Sequence, residues 1–240
     1  MSDEMSRAGG ALTRGGALAK LGGLAAGVFG ATALSARELL EADEAEAAGS
    51  GPAGVAAGLV TCVLAPEQTE GPYYVDDAAV RRNVTEGKPG VPLTLRLTVV
   101  NASSCKPVRN AAVEIWHCDA AGAYSGVQGD SGMFLRGVQR TDANGWATFD
   151  TVYPGWYPGR AVHVHLKVHV GGDVVHTGQF FFPAAVSNAV ARRAPYNRHG
   201  RPDTPNATDA IFRNGGSRSM LALTRRGTGY VGSLTMGVRR

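Results

Sequence analysis

Two phenols and two imidazoles lie close together in this sequence and could bind a metal ion. His163 and His165 are separated by one residue, and alternate residues of a β-strand point to the same face. Two neutral imidazoles on one face can ligate one metal. Tyr124 and Tyr157 would add two anionic oxygen donors if ionised. Hard, charged oxygen donors favour a ferric ion over zinc or calcium, so this set predicts ferric iron.

The histidine pair lies in a segment whose alternation predicts a β-strand. Residues 161–170 place Val162, Val164 and Leu166 on one face and His163, His165, Lys167 and His169 on the other, which is the period of a strand with one apolar face. A face in water would usually carry Thr, Ser, Lys and Glu, and three histidines are unusual there. The alternative is a strand with an ordinary solvated polar face. Arg160 precedes the strand, close enough to reach a group bound beside His163.

Several ordered segments resemble those of the intradiol ring-cleavage dioxygenases. This family splits catechol-type rings between the two hydroxyl-bearing carbons with non-haem Fe(III). The resemblance covers about residues 60–190 and is carried by 67–74, by 113–120 with 122–125, by 154–157, by 160–165 and by Gln179 within 177–182. Each segment alone is a weak signal, whereas their combination and order are specific.

The resemblance implies a site and a reaction. The implied iron ligands are Tyr124, Tyr157, His163 and His165, with Arg160 and Gln179 beside them. With O2 and a catechol-type substrate, the implied product is a muconate-type diacid. Tyr157 would act as the base, Arg160 would supply a fixed positive charge, and Gln179 would donate or accept a hydrogen bond at the reacting groups.

The chain also departs from the family pattern. Only five residues separate Tyr157 from His163, whereas classical members have a longer insert, so Tyr153 competes for the role of the second phenol. The long helical segment that catechol-type members use at a dimer interface is missing, so their quaternary structure is not carried over. A secreted β-sandwich binding module that has lost catalysis is the alternative function. A zinc hydrolase would need a third histidine or a carboxylate ligand at suitable spacing.

Composition and pattern predict an all-β fold, a β-sandwich of mostly antiparallel strands with long active-site loops. The 240 residues are 44% hydrophobic and include 33 Gly and 12 Pro, which suits one globular domain with tails. Short apolar runs are separated by turn residues. These runs are 93–100, 113–116, 146–149, 161–170, 176–182 and 230–236. The loop 125–140 is expected to shape the substrate pocket.

The first 58 residues differ in composition from the rest. Arg7 and Arg14 precede an uncharged stretch, 21–36, which is too short to span a bilayer comfortably. This order predicts an export signal over 1–36, either twin-arginine-like or of the general secretory type. An amphipathic helix is the alternative. A flexible linker over 37–58 and the dioxygenase-like domain over 59–240 would follow, and the protein would be exported from a bacterial cell.

Three cysteines follow the leader. If the protein is exported, Cys105 and Cys118 are the better disulfide pair, because they flank the hairpin-like segment 106–117, and Cys62 is left over. The alternative is three reduced thiols, and the sequence alone leaves the connectivity open.

The charge pattern argues against two classes of partner. The formal net charge is +4, and the paired arginines at 192–193, 225–226 and 239–240 are scattered. A nucleic-acid-binding surface would cluster such charges and interleave them with aromatic residues. The predicted partners are therefore a small catechol-type aromatic molecule and O2, with no nucleic acid and no membrane after processing of the leader.

Overall fold

The computed structural model describes residues 62, 64–76, 78–127 and 129–239. The predicted leader 1–36 and linker 37–58 lie outside these residues. Among the residues that are described, no helix is long and apolar enough to cross a membrane.

Eight strands and a few short helices make up this part of the chain. The strands are β1 (Pro92–Asn101), β2 (Ala112–Trp116), β3 (Arg136–Arg140), β4 (Trp146–Val152), β5 (His163–Val170), β6 (Asp173–Phe181), β7 (Ala222–Arg226) and β8 (Gly229–Val238). The α-helices are α1 (Ala184–Val190) and α2 (Ala210–Arg213), and 3₁₀ turns occupy Tyr196–Arg198, Asn206–Thr208 and Gly216–Ser219.

The strands form two four-stranded sheets with the orders β4-β1-β8-β7 and β3-β2-β5-β6. All pairings are antiparallel except that of β1 with β8. Alternate apolar side chains from both sheets fill the space between them. Fully or almost fully buried examples are Leu93, Leu95 and Leu97 of β1, Val113 and Ile115 of β2, and Val164, Leu166 and Val168 of β5. The predicted β-sandwich is confirmed.

Two strands have no counterpart among the predicted apolar runs. β7 is largely exposed, and β3 occupies the end of the segment 125–140 that was expected to be a loop. β3 reads Arg-Gly-Val-Gln-Arg and so shows no apolar alternation. A Cβ on Gly137 would lie 2.5 Å from Val84 Cγ1, which leaves no room for a side chain there. The Arg136 guanidinium is buried and donates to the Ser125 carbonyl. The prediction of a loop throughout 125–140 was therefore wrong for Arg136–Arg140, which form β3.

The expected pairing of Cys105 with Cys118 is also wrong. The disulfide joins Cys62 to Cys105, and Cys118 is a buried free thiol. The segment 106–117 is not a hairpin, because β1 and β2 belong to different sheets. β2 separates the turn that contains Cys105 from Cys118, so the two sulfurs lie beyond opposite ends of a strand.

Candidate functional site

Strand β5 presents His163 and His165 on the face of its sheet that points away from the sandwich core. The strand is held in place on both sides, by β2 and by β6. His163 is 2% exposed and His165 is 1% exposed, so this face is not solvated at the histidine pair. The two Nε2 atoms lie 3.0 Å apart, which is close enough for both to contact one ion.

Local hydrogen bonding fixes the orientation of His163. Its Nδ1 lies 2.6 Å from the carbonyl oxygen of Ala161. A carbonyl only accepts, so Nδ1 carries the proton and the neutral ring keeps its lone pair on Nε2. Metal-binding histidines are commonly oriented in this way by a carbonyl on the other ring nitrogen.

Tyr157 reaches the same point from the turn before β5. Its hydroxyl lies 3.1 Å from His163 Nε2. The turn closes with a hydrogen bond of 3.3 Å from the Arg160 amide to the Tyr157 carbonyl. Gly159 supports this turn with a φ of +83°, a conformation that side-chain-bearing residues rarely adopt. The phenol is half-buried.

Tyr124 completes the group from a second turn, which follows β2. The Asp119 carboxylate accepts hydrogen bonds from the amides of Ala121 and Ala123 at 2.9 and 3.1 Å. Gly122 packs so tightly that a Cβ would lie 2.4 Å from the Trp156 carbonyl oxygen. The Tyr124 ring centroid is 5.9 Å from that of Tyr157. Its hydroxyl is buried without a hydrogen-bond partner.

Arg160 lies at the edge of the histidine pair and is bound on several sides. Its Nη1 is 3.4 Å from His163 Nε2, and its Nη2 donates to Gln179 Oε1. Gln179 in turn donates from Nε2 to the Thr69 carbonyl at 3.0 Å. The remaining guanidinium nitrogen, Nε, donates to Asp209 Oδ2 at 2.9 Å.

Burial sets the protonation states of these groups. Burial, aided by the positive charge of Arg160, lowers the pKa of His163 to about 3, and burial lowers the pKa of His165 well below its usual value. Both imidazoles are therefore neutral at pH 7. Burial likewise raises the pKa values of Tyr124 and Tyr157, so each phenol keeps its proton unless a cation binds beside it.

The segment 66–76 covers the site and was not assigned a role from its residues alone. A Cβ on Gly71 would lie 3.2 Å from His165 Cε1, so the backbone passes directly over this imidazole. Tyr73 stacks on Tyr124 with ring centroids 4.4 Å apart. On the other side, Trp116 stacks on His165 at 5.1 Å. The parity of β2 could have revealed Trp116, because it pairs with His165.

The other candidates from the sequence lie elsewhere. Tyr153 is fully buried in the core between the sheets, 2.8 Å from the Ser187 hydroxyl, so it does not compete for the site. Trp156 also packs in that core. His169 contacts Glu114 at 3.5 Å. His117 is fully buried and contacts Thr151 Oγ1, as a structural histidine would.

The donor set fits a hard, highly charged cation. Three polar atoms, Tyr157 Oη, His163 Nε2 and His165 Nε2, converge, yet the lone pair of His163 Nε2 can satisfy only one donor. His165 Nδ1 and the Tyr124 hydroxyl are buried without hydrogen bonds. Within the described part of the chain, no three His, Cys, Asp or Glu side chains cluster as a metal site. The protein donors that lie beside the two imidazoles are phenol oxygens, a donor type that fits Fe(III) better than zinc.

Comparison with known proteins supports one family. Residues 69–173 match a family model described as Dioxygenase. The solved intradiol ring-cleavage dioxygenase of Tetranychus urticae is 34% identical, with a TM-score of 0.71 over 74% of this chain and 95% of that one. The chain belongs to the intradiol ring-cleavage dioxygenases. The resemblance inferred from the ordered segments is thus confirmed.

Other dioxygenases are also similar to this chain. The dioxygenase domain of a dioxygenase carbohydrate-binding fusion from Streptomyces sp. SirexAA-E is 32% identical, with a TM-score of 0.59 over 73% of this chain and 98% of that domain. Catechol 1,2-dioxygenase 2 of Acinetobacter lwoffii is 38% identical over 49% of this chain and 41% of its own length. Hydroxyquinol 1,2-dioxygenase of Corynebacterium glutamicum is 30% identical over 39% of its length. The match thus spans about two fifths of these two relatives.

Proposed function

We propose that this protein is a non-haem Fe(III) dioxygenase that cleaves a catechol-type ring between its two hydroxyl-bearing carbons, with O2, to a muconate-type diacid. The observation that carries the proposal is the convergence of Tyr157 Oη and the Nε2 atoms of His163 and His165 within 3.0–3.1 Å. The unpartnered hydroxyl of Tyr124 beside them and membership of the family support the same assignment.

Four side chains would hold the iron, namely Tyr124, Tyr157, His163 and His165. The two imidazoles are neutral, so the charge needed to neutralise a ferric ion would come from the phenols after loss of their protons. Bound iron would supply Lewis acidity and an electron path between an ionised catechol and O2.

The two phenols are suited to different tasks. Tyr124 is 6% exposed and is held by the stacked ring of Tyr73, which favours a fixed ligand. Tyr157 is only half-buried and begins a short turn. We therefore assign Tyr157 Oη as the base that takes a proton from a substrate hydroxyl, which is within the usual role of a positioned tyrosine.

Arg160 and Gln179 would act beside the ring of the substrate. The guanidinium of Arg160 is fixed next to His163, so it places a positive charge where negative charge develops on the cleaved ring. The Gln179 side chain bridges Arg160 and the Thr69 carbonyl, and so ties the covering segment to the charged group. Tyr73, beside both phenols, would form an aromatic wall.

The test loads the purified protein with iron and supplies catechol, protocatechuate, hydroxyquinol or lignin-type catechols. We expect stoichiometric iron, a red-brown colour from phenolate ligation, and O2 uptake with at least one substrate. His163→Ala and His165→Ala should lose most of the iron and the colour. His169→Ala, a change on the same strand, should keep both.

Two outcomes would contradict the proposal. Full iron content and unchanged absorbance in both His163→Ala and His165→Ala would refute the ligand assignment. Iron-free, colourless wild-type protein that binds an aromatic ligand without consuming O2 would instead support the binding module that has lost catalysis, which no contact in the structure favours.

We also propose that the protein is exported. The basic and then apolar order of residues 1–36 and a disulfide between Cys62 and Cys105 support this, because structural disulfides persist in oxidising compartments. N-terminal sequencing of protein from its native host tests the proposal. We expect a mature N-terminus after Ala36 or within the following linker, and cytosolic protein that still begins at Met1 would contradict it.

A further inference from the structure

The C-terminal part of the chain places a buried carboxylate, that of Asp209, beside the candidate site. Asp209 lies immediately before α2 and is fully buried. It is 49 residues from Arg160 in sequence, and the two side chains form an ion pair of 2.9 Å. We propose that Asp209 is a positioning residue that holds the Arg160 guanidinium in its working orientation.

Both oxygens of Asp209 are fully engaged, which fixes the carboxylate. Oδ1 accepts from the amides of Ile211 and Phe212 at 2.7 and 3.0 Å, which caps α2. Oδ2 accepts from Arg160 Nε and from the Ala161 amide at 2.9 and 2.8 Å. The helix cap therefore orients the oxygen that binds Arg160.

The Arg160 contacts leave the planar guanidinium one orientation. Nε is bound by Asp209, Nη2 by Gln179 Oε1, and Nη1 points to His163 Nε2 at 3.4 Å. A planar fork bound at Nε and at Nη2 cannot rotate without breaking one of these two hydrogen bonds. The Gln179 contact is neutral, so the Asp209 carboxylate is the charged group that holds the fork.

Asp209 also fixes the chain that enters β5. The Ala161 amide donates to Asp209 Oδ2, and the Ala161 carbonyl accepts from His163 Nδ1. One carboxylate oxygen thus accepts from both the guanidinium and the Ala161 peptide, while His163 itself is also held by the pairing of its strand with Phe181. Burial opposes ionisation of Asp209, but the amides of Phe212 and Ala161 and the charge of Arg160 outweigh it, and its pKa lies below the usual value.

This inference rests on the proposed function, because the working orientation matters only if Arg160 faces a substrate. Asp209→Asn separates the two tasks of the side chain. The amide oxygen can still cap α2, since Asn caps helices as well as Asp does. The amide NH2 then faces two donors, Arg160 Nε and the Ala161 amide, and cannot accept from either.

The experiment compares wild type, Asp209→Asn, and the matched control Asp203→Asn, an exposed carboxylate on the same segment. We expect Asp209→Asn to keep its iron and to lose about 10–100-fold in kcat with little change in KM, as is typical when a supporting hydrogen bond is removed. Asp203→Asn should match wild type. If Asp209→Asn does not fold, Asp209→Ser takes its place in the experiment, because the serine hydroxyl can still cap α2. Wild-type kcat in a folded variant would overturn the inference.

Two further measurements test the route through Arg160. In a double-mutant cycle, adding Asp209→Asn to Arg160→Gln should lower kcat/KM by less than about twofold, because coupled residues do not act additively. Losses that multiply would overturn the inference. A crystal structure of Asp209→Asn should show Arg160 released from Gln179, and an unmoved guanidinium would contradict us.

These outcomes separate the two proposals. If the iron-loaded wild type fails to cleave any catechol, the proposed function fails, and the crystal structure still decides whether Asp209 positions Arg160. If the wild type cleaves a catechol and Asp209→Asn cleaves it equally well, only the inference about Asp209 fails.

Discussion

At the residue scale, the two phenols of the site have unequal surroundings. Tyr124 is buried under the stacked ring of Tyr73, 4.4 Å away, whereas Tyr157 begins a short turn and is half-buried. The two phenols have the same chemistry but unequal surroundings, so we propose different roles for them, with Tyr157, the more accessible phenol, taking the proton of a substrate hydroxyl. The family resemblance identified the two tyrosines, and their different burial distinguishes their proposed roles.

The two phenols can be separated by substitution. Tyr157→Phe should keep much of its iron, because both imidazoles and Tyr124 remain, and should lose about 10²–10⁴-fold in turnover with the base removed. Tyr124→Phe should weaken the visible absorbance both with and without catechol. Absorbance spectra and steady-state rates of both variants check this, and wild-type turnover in Tyr157→Phe would exclude it as the base.

A buried acid on the same face of the sheet gives a pH prediction. Glu114 is 5% exposed, and burial raises its pKa from 4.5 to about 7. The folded protein therefore binds this proton more tightly than the unfolded chain, so stability falls as the pH rises from 4.5 to 7. Glu114→Gln should not show this loss of unfolding free energy, which is on the order of 2 kcal/mol.

Unfolding free energies at pH 5 and pH 8 measure the effect. The advantage of Glu114→Gln over wild type should grow between the two pH values, whereas Asp173→Asn, which removes an exposed carboxyl, should show no such growth. A difference that stays constant with pH would mean that Glu114 is not the group responsible.

At the scale of the elements, the site depends on the segment 66–76 as much as on β5. Gly71 has a φ of +76°, and its Cα faces the His165 ring. Gly71→Ala should cost about 1–2 kcal/mol of stability through backbone strain and should also push on His165, lowering iron content. Gly87→Ala is the matched control, because Gly87 has a φ of +74° with no atom within 4 Å of the added Cβ.

Thermal unfolding and metal analysis of the two variants distinguish the effect of backbone strain from the effect of contact with His165. Both should lose similar stability, and only Gly71→Ala should lose iron. Equal iron content in the two variants would show that the close approach of the backbone to His165 has no bearing on metal binding.

Elements whose pattern is local could be predicted from the sequence, and those that depend on distant partners could not. The alternation of β5 indicates a strand and which residues share a face, because strand periodicity is local. It does not indicate that this face is buried, since the cover comes from 66–76. Similarly, β3 was not predicted. Its Gly137 lies against Val84, more than 50 residues away in sequence, and the space between them is too small for a side chain.

The same limit applies to the candidate site. The motif order predicted which phenols and imidazoles come together. The structure brings Tyr157, His163 and His165 within hydrogen-bond distance, and the ring centroid of Tyr124 lies 5.9 Å from that of Tyr157. Asp209 had no sequence signal, because an aspartate before a short helix is an ordinary cap. Only the fold shows that its second oxygen binds Arg160.

At the scale of the whole molecule, the disulfide ties the start of the described chain to the turn after β1. Cys62 and Cys105 are 43 residues apart, so a chain-entropy estimate gives about 3–4 kcal/mol of stabilisation. Cys105→Ser should lower the unfolding free energy by about this amount. Denaturant unfolding with and without reductant checks it, because reductant should weaken wild type and leave Cys105→Ser unchanged. Equal sensitivity to reductant would contradict the assignment.

Under the proposed function, this chain inserts both atoms of O2 into a catechol-type ring between the hydroxyl-bearing carbons. Mass spectrometry of the product formed by the iron-loaded protein under ¹⁸O2 tests it most directly. We expect a muconate-type diacid that carries two ¹⁸O atoms and is not formed by His163→Ala. A product opened beside the two hydroxyl carbons, or one without label from O2, would contradict the account.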